Sequence, residues 1–286
     1  MNRRAGAAEA RRHQSCPRGS TALGAPAAVL VGLGVLLTSG CAQGPAGPAD
    51  RPDLPKTNEQ VNLDPADFTT EIDNPYWPMV PGTQWVYRET DAEGVEQRVV
   101  ITVTDAVKEI ANGVTVRVVR DTVTRDGEVV EDTFDWYAQD SGGTIWYLGE
   151  DTAEFEAGEV TSRGGSFEAG VDGALPGVVL PADPVVGMAY RQEYYAGEAE
   201  DNGEVLSVQE QAEVPAGHYD QVLLTKDTIT IRPAVLEYKL YARGVGPVLV
   251  LGISGGAGRE ELLETVTVSD EVARAAGRVP LGESYD

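Results

Sequence analysis

Between residues 97 and 148 the chain repeats one device: a run of β-branched and aromatic residues, then two or three residues of turn chemistry. Val99-Val100-Ile101-Thr102-Val103-Thr104 leads to Asn112-Gly113, which is followed by Val114 to Val123 and Asp126-Gly127. Next come Val129 to Tyr137, Ser141-Gly142-Gly143 and Thr144 to Leu148. Asn-Gly and Asp-Gly between such runs are strong hairpin signals, because a tight primed turn needs positive φ at both central residues. The pattern predicts an antiparallel meander with almost no helix.

A second series follows a stretch punctuated by Gly170, Gly173, Pro176, Gly177, Pro181 and Pro184. Tyr190 to Tyr195, Glu204 to Glu213, His218 to Ile231, Val235 to Tyr241, Val248 to Ile253 and Glu260 to Val268 all read as strands. The alternation Glu237-Tyr238-Lys239-Leu240-Tyr241 predicts one buried and one wet face. The expected fold is all-β: one antiparallel meander domain of about ten or eleven strands, as a curved sheet, a partly open barrel or a sandwich. Ser269 to Ala276 is expected to form a short helix.

Ahead of this domain, Arg3, Arg4, Arg11, Arg12 and Arg18 give a cationic start, and Ala27 to Leu37 an uncharged apolar segment too short for a stable transmembrane helix. The segment ends in Leu36-Leu37-Thr38-Ser39-Gly40-Cys41, which resembles a bacterial lipoprotein signal. That resemblance implies cleavage before Cys41, diacylation of its thiol and attachment to the membrane through the acyl chains. The expected organisation is a signal peptide over 1–40, a lipidated Cys41 with a Pro/Gly/Ala-rich flexible linker over 41–65, a β domain over 66–270 and a C-terminal tail over 271–286.

Without residues 1–40 the 286-residue chain keeps 17 basic and 45 acidic side chains, a net charge of −28. Such a surface does not bind nucleic acid or anionic lipid through charge. Its ordinary meaning is a solvated, self-repelling exterior; its sharper meaning is affinity for cations. Cys16 falls in the signal, so Cys41 has no partner, and a disulfide framework or thiolate metal site is excluded.

The segment Ile72-Asp73-Asn74-Pro75-Tyr76-Trp77-Pro78-Met79-Val80-Pro81-Gly82-Thr83-Gln84-Trp85-Val86-Tyr87 resembles the opening of a family of bacterial proteins, many of them exported. Similar features stand at Asp135 to Asp140, Ile145 to Asp151, Glu168 to Gly173, Tyr190 to Tyr194 and Tyr241 to Pro247, so the likeness spans the domain from Asp67 to about Glu264. It implies export and brings no activity with it. Pro75, Pro78 and Pro81 fix φ and remove donors, so Asn74 to Gly82 is expected to be extended, with Tyr76 and Trp77 plugging an open end of the core.

Among candidate sites, nucleophilic catalysis has only His218 as a base in the exported part. Gly252-Ile253-Ser254-Gly255-Gly256 matches G-x-S-x-G by letter, but the histidine precedes the serine and no βαβ unit surrounds it, so Ser254 reads as part of a hairpin turn. Calcium is the metal that hard oxygens at turns would suit, from Glu150 and Asp151 and from Glu198, Glu200 and Asp201. Neither group matches an EF-hand loop. A ligand cavity inside the curved sheet would be lined by Trp136, Trp146, Tyr190 and Tyr194. The expected function is a membrane-anchored extracytoplasmic lipoprotein that binds a small molecule or lipid. The alternative is a scaffold for envelope proteins, ahead of a calcium-binding protein or a hydrolase.

Overall fold

The computed structural model describes residues 54–255 and 258–285; the signal segment, Cys16, Cys41 and most of the linker lie outside them. Among the described residues fifteen strands form a single antiparallel sheet. They are β1 (Phe68–Thr69), β2 (Thr83–Thr90), β3 (Glu96–Glu109), β4 (Thr115–Arg125), β5 (Glu128–Asp140), β6 (Ile145–Glu156), β7 (Glu159–Ser162) and β8 (Phe167–Glu168). The second half supplies β9 (Gly177–Leu180), β10 (Ala189–Arg191), β11 (Asp201–Val214), β12 (Gly217–Ile229), β13 (Arg232–Ala242), β14 (Gly246–Ser254) and β15 (Arg259–Thr267), followed by helix α1 (Asp270–Ala276).

The two meanders join where the last strand meets the first long one: the order is β10-β11-β12-β13-β14-β15-β2-β3-β4-β5-β6-β7, open at both margins. The sandwich is thereby excluded, and the count exceeds the ten or eleven expected. Beyond the strands read from the sequence stand the eight-residue β2, which follows the proline-rich segment, and short strands of two to four residues, too few to show a period of two: β1 pairs with β5, and β7, β8 and β9 pair with β6. The hairpin signals sit where the turns are, with Gly113, Asp126, Gly127 and Gly143 at positive φ.

One end of the curved sheet is sealed by the proline-rich segment. It is not extended throughout: Ile72 bridges Met79, and Trp77 N–H donates to Asn74 O at 3.1 Å, so the chain loops back on itself. Tyr76, Trp77 and Met79 are buried as a plug. Polar bonds hold the plug to three strand ends. Asn74 Nδ2 donates to Gly143 O (2.9 Å), Gly244 N–H to Pro75 O (2.8 Å) and Val268 N–H to Gly82 O (2.9 Å). Gln139 accepts from the backbone N–H of both Asp73 and Asn74.

Two buried arginines tie the chain ends down. Arg191, fully buried on β10, donates to the carbonyls of Pro176, Thr57 and Glu59. The stretch from Leu54, expected to be the end of a flexible linker, is thus packed against the domain. Arg120 on β4 pairs with Asp132 and also donates to the carbonyls of Ala276, Val279, Pro280 and Glu283, with Tyr285 stacked 4.4 Å over its guanidinium. Ser269 caps α1 as its composition predicts, and the rest of the tail lies on the outer face of the sheet rather than free.

Candidate functional site

The concave face encloses a cavity of about 1070 Å³. Its floor is aromatic: Trp77 from the plug packs on Tyr137 (centroids 5.6 Å) and Tyr241 (6.0 Å), and Tyr137 stacks on Tyr147 at 4.9 Å. The far end is open, since its lining residues Arg125, Asp126, Glu128, Glu156 and Ala157 belong to exposed hairpin tips. Between floor and mouth the walls are acidic. Fourteen Asp and Glu side chains line the cavity against three cations, Arg125, Lys239 and Arg259.

Strand parity brings these carboxylates together. Alternate residues of a strand share a face, so Val119, Asp121 and Val123 of β4 point inward, as do Glu237, Lys239 and Tyr241 of β13. The wet face anticipated for Glu237 to Tyr241 is therefore the concave one. A bulge then re-aims β6: Asp135 pairs with Glu150 and Tyr137 with Tyr147, so Leu148 and Gly149 stand opposite the single residue Trp136. The extra residue puts Tyr147 and Glu150 on the same face, and Tyr147 Oη lies 2.6 Å from Asp135 Oδ1 and 2.6 Å from Glu150 Oε2.

Burial within the shell disfavours charge, and the neighbouring carboxylates add to it. Asp135 and Glu150 are raised above the usual carboxylate range, first by burial; the charge of Asp135 pushes Glu150 further. Burial and Glu89 lift Glu260 to about 7. Glu193, through burial and Asp201, and Asp121, through burial and Asp135, are raised well above theirs. Asp121 Oδ1 is sealed in the wall with no hydrogen-bond partner. Lys239 shows how the cavity treats a cation. Its Nζ lies 3.1 Å from Asp227 Oδ2, and Gln192 and Thr225 donate to the same carboxylate. Although burial opposes its charge, Asp227 holds the ammonium well above its ordinary value.

The four aromatics expected to line a ligand cavity do not line this one. Trp136 lies under Lys108 Nζ at 3.2 Å, Trp146 donates to Asp140 and meets Phe68 edge-on, Tyr190 is buried against Gly203, and Tyr194 bridges Leu175. Strand parity explains the first two: each is adjacent in sequence to an inward residue, Tyr137 or Tyr147, and so faces the other way. The expected calcium groups also separate. Glu150 and Asp201 face the cavity, Asp151 pairs with Arg163 (2.8 Å), and Glu200 accepts from Gly197 N–H (2.9 Å). Glu198 joins Glu150, Glu193 and Asp201 around a smaller acidic hollow of about 240 Å³. Among the described residues no group of three or more His, Cys, Asp or Glu side chains is placed to hold a metal ion. His218 is exposed beside Asp220, and Ser254 Oγ donates to Ala234 O within its hairpin.

Fold and site together define an open, single-sheet β shell with an acidic cavity on an aromatic floor. It is similar to a protein from Bacteroides fragilis described as exported with a YmcC-like fold, at 15% identity and a TM-score of 0.43, over 67% of this chain and 99% of that one. It is also similar to a protein from Parabacteroides distasonis described as a lipoprotein, at 14% identity and a TM-score of 0.38, over 67% of this chain and 98% of that one. Neither likeness carries a ligand or an activity across. No family model and no curated protein matches the chain.

Proposed function

We propose that the protein is a lipid-anchored, extracytoplasmic binding protein whose cavity takes a small organic cation, such as a di- or polyamine. The observation that carries this reading is the excess of fourteen cavity carboxylates over three cations, set above the aromatic floor. Aromatic faces attract ammonium groups, and carboxylates within a low-dielectric shell attract them more strongly than on an open surface. An acyl chain would need apolar walls, so the same lining favours an amine over a lipid. A scaffold would present an exposed aromatic patch, whereas the exposed large apolar side chains among the described residues are valines and isoleucines. Anchoring rests on Cys41 and the segment before it.

Calorimetric titration of the full chain in detergent with spermidine, at low and high salt, tests the ligand class. Saturable binding that weakens with salt is expected. No binding at low salt, or binding of a neutral acyl probe in its place, rejects the reading.

A further inference from the structure

We propose that Asp135, Tyr147 and Glu150 form a proton switch that sets the charge of the cavity, sharing one extra proton and releasing it to solvent as the pH rises or as a cation enters. The geometry favours the extra hydrogen. Tyr147 Oη has one hydrogen, yet an oxygen of Asp135 and an oxygen of Glu150 each lie 2.6 Å from it. The phenol donates to one carboxylate. The other oxygen, at the same distance from a phenolic lone pair, is best held there by a proton of its own carboxyl donated to Oη, since two unprotonated carboxylates would share one hydrogen and repel each other. Loss of the phenolic hydrogen itself is opposed, since burial and both carboxylates hold Tyr147 well above its ordinary value.

The surroundings favour the shared proton. Facing the triad across the cavity and the adjoining hollow are Glu131 and Tyr137 from β5, Asp121 from β4, Glu154 from β6, and Glu193, Glu198 and Asp201 from the opposite margin of the sheet; of the cations, Lys239 is engaged by Asp227, and Arg232 acts on Asp201. Burial and these like charges raise both carboxyls of the triad, which titrate as a unit. When the proton leaves, the carboxyl O–H bond breaks heterolytically, the electron pair stays on the carboxylate oxygen, the proton goes to solvent, and the triad passes from one negative charge to two. An entering ammonium group replaces the proton's charge one for one. The coupling to a cation rests on the binding function proposed above; the proton itself does not.

Two measurements on the full chain in detergent separate the claims. Infrared difference spectroscopy without ligand, comparing wild type with Glu150→Gln and Tyr147→Phe between pH 5 and 9, is expected to show a protonated-carboxyl band in wild type that titrates near neutral pH and is missing from Glu150→Gln. Superimposable wild-type and Glu150→Gln titrations overturn the switch. Gln keeps the hydrogen-bonding capacity of Glu, and unchanged circular dichroism confirms that the variant is folded. Spermidine titration in buffers of different ionisation enthalpy is expected to show one proton released per ligand in wild type, fewer in Glu150→Gln, and affinity rising about tenfold per pH unit while the proton is held. Binding with equal proton release in both proteins overturns the switch and leaves the ligand reading intact. A titrating band without spermidine binding removes the ligand reading and supports the proton site.

Discussion

Tyr147 and Glu150 are three positions apart on one strand, yet their side chains meet at 2.6 Å on the concave face of the sheet. A regular strand would place them on opposite faces. The bulge at Leu148 and Gly149 removes that opposition, and only glycine fits it. Gly149 has φ +138°, and a Cβ there would stand 2.3 Å from Phe167 O and 2.9 Å from the Trp136 ring.

Gly149→Ala is therefore expected to lower stability by about 2–4 kcal/mol through strain and overpacking. Denaturant unfolding measures it; a loss under about 0.5 kcal/mol would show that the bulge does not depend on glycine.

Stability should fall as the pH rises. Glu260 has its carboxyl raised to about 7 by burial and Glu89, and Glu193, Asp121, Asp135 and Glu150 are raised with it. The folded chain keeps protons that the unfolded chain has already lost. The resulting stabilisation is complete below the unfolded carboxylate range and is lost as the pH climbs through about 7. Melting temperature at fixed ionic strength is expected to drop between pH 5 and pH 8, and a flat or rising profile would refute the raised carboxyls.

Asp132→Ala should be among the most damaging single changes. It leaves the guanidinium of Arg120, 0% exposed, facing carbonyls and aromatic rings with no counter-charge, and breaking a buried pair from one side costs about 3–5 kcal/mol. The same variant should expose residues 277–285 to protease, because Asp132 also accepts from Gly282 N–H at 2.8 Å. A protease-resistant C-terminus together with a loss under about 1 kcal/mol would contradict this role.

Cys41→Ser is expected to move the protein from the membrane fraction to the soluble extracytoplasmic fraction. Persistence with the membrane would remove the lipid anchor from the proposed function.

The hairpins could be read from the sequence because their turns are local: Gly113 after Asn112 and the pair Asp126-Gly127 take up positive φ with no help from the rest of the chain. The site could not, for two reasons. A single bulge reverses face parity beyond it and so brings Glu150 to the side of Tyr147, and in the adjacent aromatics Trp136-Tyr137 and Trp146-Tyr147 composition alone leaves open which ring turns inward. The carboxylates also arrive from distant strands; Asp121 and Glu260 share one wall only because β15 pairs with β2. Among the expected site residues, only Glu150 and Asp201 line the main cavity. The inward acids of β5 and β13 were the available signal, but a strand alternating carboxylate with apolar residues does not say which side of the sheet is hollow.

Arg191 has a mechanical consequence. It joins β10, at one margin of the open sheet, to Pro176 beside β9, which belongs to the other, and it grips Thr57 and Glu59 as well. A pull on the chain ahead of Leu54 is thus delivered to the latch between the margins rather than to the plug. Tension applied there would act on the spacing of the two margins that the open sheet leaves unpaired with each other.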